Sequence, residues 1–149
     1  GLIAGTGMSS VRRTMWTPGS PLRGKVFLLD SVGELAAVYA LAHVAFVGGS
    51  LFPVGGHNIL EPAQHGVAVL TGPHTFNFRE IVRIFEEGGA LSVATPETLA
   101  QEMLELFQTP ERRETSGQRA KELFLRHTGA TQRTLEALHP FLSNSARPQ

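Results

Sequence analysis

The fold is decided by the stretch Phe46-Val-Gly-Gly-Ser-Leu-Phe-Pro-Val-Gly-Gly-His-Asn-Ile-Leu-Glu-Pro62. It runs from an apolar strand, residues 44–47, through two glycine pairs into a short helix at about residues 59–64. Glycine lets the backbone approach a ligand closely, and the start of a helix presents N–H groups without partners. The stretch therefore predicts a site for an anionic group such as a phosphate. Its spacing matches neither the dinucleotide-binding nor the P-loop fingerprint.

Composition restricts the classes of protein to consider. The chain has 149 residues, a formal net charge of zero and no cysteine. This length is typical of one domain, and the neutral charge gives no basis for binding nucleic acid. The lack of cysteine excludes a disulfide framework and a thiolate metal site. No apolar run reaches the roughly 20 residues of a membrane span. The sequence has neither an initiator Met nor a signal peptide at its start, which is compatible with a longer parent protein.

Outward from the central stretch, short apolar runs alternate with amphipathic segments. Strands are predicted at about residues 10–13, 26–29, 44–47, 67–70 and 90–93, and helices at about 35–43, 59–64 and 77–87. This order indicates an α/β fold, a Rossmann-like parallel sheet flanked by helices on both faces. Ser31 and Glu34 have the spacing of a capping box ahead of the first helix.

The last third of the chain is predicted to be helical. Thr95-Pro-Glu97 and Thr109-Pro-Glu111 carry the same helix-start signal. In each, threonine caps, proline takes the first helical position and glutamate lies in the positive first turn. A final helix is expected at residues 130–142, and a disordered tail at residues 143–149.

Polar loops follow three of the predicted strands, at residues 30–34, 48–58 and 71–77. In an open parallel sheet such loops meet at the carboxyl edge, where ligands bind. In the first loop, the N–H groups of Gly33, Glu34 and Leu35 either meet a ligand or simply begin a capped helix. The pattern alone leaves both interpretations open. Arg12 and Arg13 end the first strand and are either solvated or partners for a phosphate.

The central loop offers several polar groups. Ser50 can donate from its hydroxyl, and Asn58 can both cap the following helix and contact a ligand. Glu61 can accept hydrogen bonds from both hydroxyls of a ribose, or it is only a favourable charge in a first helical turn. The spacing of the histidines at 57, 65 and 74 fits no zinc pattern, so no metal site is predicted.

Four blocks of the sequence resemble the C-terminal half of the 3-deoxy-D-manno-octulosonic acid (Kdo) transferases. The blocks are Asp30-Ser-Val-Gly-Glu-Leu35, Phe46-Val-Gly-Gly-Ser-Leu51, Gly55-Gly-His-Asn-Ile-Leu-Glu-Pro62 and Gly72-Pro-His-Thr-Phe-Asn-Phe78. They occur in the family's order, and the resemblance covers nearly the whole chain. The departures are Ser31-Val32, where Thr-Met is usual, and Ile59, where proline is usual.

The resemblance implies that residues 1–142 are the C-terminal, nucleotide-sugar-binding domain of a GT-B glycosyltransferase, incomplete on its N-terminal side. The donor would be CMP-Kdo, with no cofactor and no metal. The substrate-binding residues it implies are Arg13, Gly33, Glu34 and Leu35 near CMP, Ser50, Gly56, His57 and Asn58 around the phosphate and sugar, and Glu61 at the ribose.

In this family the catalytic base, the acceptor site and the membrane-facing surface belong to the N-terminal domain. We therefore expect no catalytic residue in this chain and no activity from it alone. The complete enzyme would transfer Kdo, with inversion, to the lipid A precursor of lipopolysaccharide at the cytoplasmic side of the bacterial inner membrane. Alternatives are another GT-B enzyme that uses a UDP-sugar, as transferase or epimerase, or a non-catalytic nucleotide-binding module. The His57-Asn58 pair and the 72–78 block favour Kdo transfer.

Overall fold

The computed structural model describes residues 2–127, which form two compact units divided between Val38 and Tyr39. Each unit has its own parallel sheet. The predicted α/β class, with parallel strands and flanking helices, is confirmed. The strands pair in two separate sets, β1 with β2 and β3 with β4 and β5, whereas the sequence pattern suggested one sheet.

The first unit is a small parallel pair with one long connection. Strand β1 (Ser9–Arg12) lies beside β2 (Lys25–Leu28). The connection between them is rich in glycine and proline, and Trp16 packs edge-on against Phe27 with ring centroids 6.0 Å apart. Helix α1 (Leu35–Tyr39) follows and ends four residues earlier than the predicted 35–43.

The second unit alternates strand and helix as the pattern predicts. It comprises β3 (Val44–Val47), α2 (Leu60–Gln64), β4 (Ala68–Thr71), α3 (Arg79–Glu87), β5 (Leu91–Val93), α4 (Leu99–Gln108) and α5 (Pro110–His127). The sheet order is β3-β4-β5, with all neighbours parallel. Every residue of the central strand β4 is buried, as a continuous apolar run predicts for a strand covered on both faces.

Side chains of β4 alternate between two apolar clusters, because successive strand residues point to opposite faces of the sheet. Val69 belongs to the cluster that contains the buried face of α3, with Val82 and Phe85. Leu70 belongs to the cluster that contains Leu106 of α4. The prediction of an amphipathic helix at about residues 77–87 is therefore confirmed by α3.

Helix boundaries test the two threonine-proline-glutamate signals. The second is confirmed, because α5 begins at Pro110 directly after Thr109, with Glu111 in its first turn. The first is displaced: α4 begins at Leu99, and the N–H of Thr95 donates to the hydroxyl of Thr98 at 2.9 Å, forming a separate turn before the helix. The predicted helix at residues 130–142 and the tail at 143–149 lie outside the described residues.

Candidate functional site

In the second unit, the loop after β3 (residues 48–58) contacts the loop after β4 (residues 72–78). The N–H of Gly56 donates to the carbonyl of Gly49 at 2.8 Å, which folds the first loop back on itself. The N–H of Asn77 then donates to the carbonyl of Gly55 at 3.1 Å, which joins the two loops. Both loops follow carboxyl ends of neighbouring parallel strands, so the predicted meeting of these two loops is confirmed.

The second glycine pair is required where the loops touch. Gly55 has φ of +113° and Gly56 has φ of +78°, in the region that disfavours other residues. A Cβ on Gly55 would lie 2.2 Å from Nδ2 of Asn77. The sequence predicted that glycines bring this backbone close to a ligand, and the structure shows that they also bring it close to the second loop.

Ser50 is fully buried between the two loops. Its hydroxyl donates to the carbonyl of Val47 at 2.7 Å and accepts from the N–H of Gly72 at 2.8 Å. Its carbonyl accepts from the N–H of His74 at 2.9 Å. From the sequence we expected the Ser50 hydroxyl to donate to a ligand. It donates to the carbonyl of Val47 instead, because the chain turns back over the end of β3 at this position.

Backbone donors are available immediately after Gly56. Within the part of the chain that the structure describes, the N–H groups of His57 and Asn58 have no acceptor. The N–H of Ile59 has none either, but Ile59 is fully buried, so its N–H is not accessible to a ligand. The next N–H, of Leu60, is bonded to Oδ1 of Asn58 at 3.0 Å, so the predicted capping role of Asn58 is confirmed. Consecutive free N–H groups after glycines at positive φ form a concave backbone surface that suits an anion.

His57 covers the first glycine pair. A Cβ on Gly49 would lie 2.8 Å from Nε2 of His57, so the imidazole rests directly on the Gly49 backbone while the residue stays exposed. A positive φ of 68° at Gly49 and the absence of a side chain make room for this ring. The imidazole is thereby held beside the free backbone donors.

Glu61 lies in the first turn of α2 and is half-buried. Its hydrogen bond to Nδ2 of Asn58 is long, at 3.5 Å, so most of its accepting capacity remains unused. Burial and, after it, the negative charge of Glu61 raise the pKa of Tyr39. Sequence reasoning missed Tyr39, the chain's single tyrosine, which lies within the predicted helix at residues 35–43 and ends the observed helix α1.

In the first unit, Arg13 and Glu34 form an ion pair, with Nη2 and Oε1 2.8 Å apart. Ser31 donates to the second carboxylate oxygen. Ser31, and after it Arg13, hold the pKa of Glu34 below its ordinary value. The predicted capping box is therefore wrong: Ser31 binds the Glu34 side chain instead of a backbone N–H, and α1 begins only at Leu35. Gly33, with φ of +88°, makes the turn between them.

Asp30 joins the ends of β1 and β2 in a similar way. It accepts from the N–H of Thr14 at 3.0 Å and from the Thr14 hydroxyl at 2.9 Å, and Arg12 lies 3.6 Å away. The Thr14 N–H, chiefly, lowers the pKa of Asp30. Arg12 and Arg13 are thus paired with carboxylates, and a phosphate contact by either arginine stays a prediction.

Two further sequence expectations concern metals and membranes. Among residues 2–127, no three histidine or acidic side chains come together as a metal site requires. The absence of a metal in the complete protein stays a prediction. No helix in that range has the length and apolar character needed to cross a membrane.

Comparison with known proteins places the chain among glycosyltransferases. The family model "Glycosyl transferases group 1" matches residues 2–123. The chain is 43% identical over 123 residues to the 3-deoxy-D-manno-octulosonic acid transferase of Haemophilus influenzae, covering 81% of this chain and 29% of that protein. It is 37% identical over 143 residues to the Bordetella pertussis enzyme of the same name, covering 94% of this chain and 33% of that protein.

A solved structure is also similar. It is the C-terminal CMP-Kdo binding domain of WaaA from Acinetobacter baumannii, with a TM-score of 0.73 and 36% sequence identity over 82% of this chain and 64% of that chain. The chain spans about a third of the length of the curated relatives it matches. These likenesses confirm the resemblance to Kdo transferases that the four sequence blocks carry.

Proposed function

The chain belongs to the glycosyl transferases group 1 family, and on that premise we propose that it is the CMP-Kdo-binding part of a Kdo transferase. The observation that carries the proposal is the likeness to a CMP-Kdo binding domain. The two loops that interlock at the ends of β3 and β4 support it, because three of the four blocks that resemble Kdo transferases lie wholly or partly in these loops. The donor substrate is then CMP-Kdo, and the family resemblance implies neither a cofactor nor a metal.

In this proposal the phosphate of the donor lies against the free N–H groups of His57 and Asn58. Each N–H can donate to a phosphate oxygen without displacing an existing bond in the described chain. Preorganised backbone donors of this kind stabilise the charge that develops on the leaving phosphate as the sugar is transferred. Gly56 permits the close approach, and the Asn58 side chain fixes the direction of the donors through its bond to Leu60.

Glu61 holds the ribose of the nucleotide in this proposal. Its carboxylate has free accepting capacity, and a carboxylate can accept hydrogen bonds from both hydroxyls of a diol. For the cytidine part the family resemblance implies Gly33, Glu34 and Leu35, and within the first unit the Glu34 carboxylate is bonded to Ser31 and Arg13. Arg13 acts there by fixing the Glu34 side chain through their ion pair.

The complete enzyme, by its family, would add Kdo to the lipid A precursor at the cytoplasmic side of the inner membrane, with the catalytic base and acceptor site in an N-terminal domain. Residues 1–142 are then an incomplete C-terminal domain. We predict that the 149-residue chain alone transfers no Kdo from CMP-Kdo to an acceptor. Measurable transfer by the purified chain would contradict this assignment of domains.

The ribose contact gives a direct test of the proposed function. We expect the chain to bind CMP at least about tenfold more tightly than 2′-deoxy-CMP, since hydrogen bonds to a charged group contribute roughly 1.5–3 kcal/mol. Glu61→Gln should lose most of this preference, and the exposed Glu80→Gln should keep it. Equal binding of both nucleotides by the wild type, or an undiminished preference in Glu61→Gln, would contradict the proposal.

A further inference from the structure

We propose that Ser50 is a positioning residue, which sets the spacing between the two loops of the candidate site and does not itself touch the ligand. Only the ligand-binding part of this inference rests on the proposed function. Ser50 belongs to the Phe46–Leu51 block that resembles Kdo transferases, where a contact with the donor was the expectation. Its surroundings assign it a different task.

The Ser50 hydroxyl is satisfied entirely inside the protein. The side chain is fully buried, its proton goes to Val47, and its oxygen accepts from Gly72. Ser50 also accepts the N–H of His74 through its carbonyl. One residue therefore holds the beginning of the loop after β3 to the beginning of the loop after β4 through two bonds between the loops.

The two loops approach each other very closely at Ser50. A Cβ on Gly72 would lie 2.3 Å from the carbonyl oxygen of Ser50, so only glycine fits opposite it. Thr71 provides a contrast. Its buried hydroxyl also reaches the carbonyl of Val47, at 3.4 Å, but it connects only the paired ends of β3 and β4 and neither loop.

A chain of backbone contacts connects Ser50 to the candidate phosphate donors. The loop fixed by Ser50 at Gly72 continues to Asn77, which bonds to the carbonyl of Gly55. Gly56 is bonded to Gly49, and the free N–H groups of His57 and Asn58 come next. Removing the Ser50 hydroxyl leaves the buried N–H of Gly72 without a partner, which favours separation of the loops. The donors would then lose their fixed direction although Ser50 is not among them.

The test compares Ser50→Ala with Thr71→Val, because each removes a buried hydroxyl that bonds to the same carbonyl. In the unliganded chain, Ser50→Ala should shift the backbone amide resonances of Gly55, Gly56 and Asn77, whereas Thr71→Val should leave those three unchanged. At an equal folded fraction, CMP affinity should fall at least tenfold in Ser50→Ala and less than twofold in Thr71→Val. Unchanged Gly55 and Gly56 resonances in Ser50→Ala, or an equal loss of affinity in both variants, would overturn the inference.

Two further measurements distinguish a failure of the proposed function from a failure of the role proposed for Ser50. If the wild-type chain does not bind CMP, the proposed function fails, but the unliganded amide comparison still decides the role of Ser50. If Ser50→Ala does not fold, amide hydrogen exchange of the wild type decides it. Bonds that open as one cooperative unit share one opening free energy. Equal protection of the Gly72 and Asn77 amides supports a single interlocked unit, and protection that differs more than tenfold overturns it.

Discussion

The Asn77 side chain fills the space that a Cβ on Gly55 would occupy, while the Asn77 N–H donates to the Gly55 carbonyl at 3.1 Å. This pair joins the glycine-rich loop after β3 to the loop after β4. It gives glycine at position 55 a packing reason in addition to a conformational one. The candidate site is thus built from two loops, each of which limits the shape of the other.

Substitution of Gly55 should therefore be costly. Gly55→Ala places a Cβ at φ of +113° and 2.2 Å from the Asn77 amide, and we expect a loss of about 1–3 kcal/mol in the free energy of unfolding. Gly48→Ala is the matched control for stability, because nothing lies within 4 Å of its Cβ position and its φ is not positive. Urea unfolding followed by far-ultraviolet circular dichroism measures both. A Gly55→Ala variant as stable as Gly48→Ala would show that the loops do not interlock as described.

Helix α5 depends on a close backbone approach at Gly117. A Cβ there would lie 2.1 Å from the carbonyl oxygen of Gly66, a backbone atom that cannot easily move. Alanine is favoured over glycine inside a helix by about 1 kcal/mol, but overpacking against backbone costs roughly 1–3 kcal/mol. We expect Gly117→Ala to destabilise the chain in urea unfolding, while the exposed Thr115→Ala in the same helix should be neutral or slightly stabilising. Stabilisation by Gly117→Ala would contradict the packing of α5.

The Ser31–Glu34 bond predicts a pH response in the first unit. Because the pKa of Glu34 lies below its ordinary value in the folded chain, its ionised form stabilises the fold above that ordinary value. The stabilisation is lost as the pH falls through the folded value. A carbon-13 titration of the Glu34 carboxyl should give a midpoint below roughly pH 4.3, the ordinary glutamate value. Ser31→Ala should raise the midpoint, because Ser31 is the largest cause of the shift.

In Ser31→Ala, the ion pair with Arg13 should still hold the pKa of Glu34 partly below its ordinary value. Val32→Ala is the control, because it removes a fully exposed side chain and should not change the titration midpoint of Glu34. An ordinary midpoint in the wild type, or one that Ser31→Ala leaves in place, would contradict the described geometry of Glu34.

Two substitutions of Asn58 test its capping bond and its place beside the phosphate. Asn58→Asp keeps an oxygen that can accept from the Leu60 N–H, whereas Asn58→Ala removes the cap and should cost about 1 kcal/mol in the free energy of unfolding. If the phosphate lies beside this residue, Asn58→Asp should weaken CMP binding at least about tenfold through charge repulsion. Because Asn58→Asp also puts a carboxylate where Nδ2 now faces Glu61, it should lose some stability too, and CMP binding is therefore compared at an equal folded fraction. Unchanged CMP binding in Asn58→Asp would contradict a phosphate position beside Asn58 and α2.

Much of the second unit was predictable because local signals agreed there with tertiary structure. The apolar runs fixed β3, β4 and β5, the spacing of Phe78, Ile81, Val82 and Phe85 fixed α3, and Asn58 caps α2 as expected. The Pro110 start of α5 also followed from local chemistry. In each case the residues that carry the signal are also those that pack or cap.

The failures have a common physical cause. Ser31 has the spacing of a capping residue, but it donates to the Glu34 carboxylate, which Arg13 binds from another part of the chain. Ser50 has the position of a ligand contact, but its burial depends on the loop after β4, which lies more than twenty residues further along. Tyr39 gains its relation to Glu61 in the same way. The spacing of neighbouring residues in the sequence does not indicate partners that lie about twenty residues away.

The central claim is that the interlocked loops of the second unit form part of a site for the CMP moiety of a nucleotide sugar. The most direct measurement is a titration of the folded, isotope-labelled chain with CMP and, separately, with UMP, followed by backbone amide resonances. We predict that CMP shifts the amides of Gly56, His57 and Asn58 and those around Gly33, and that UMP binds at least about tenfold more weakly. CMP shifts that map elsewhere on the chain, or equal binding of the two nucleotides, would contradict the claim.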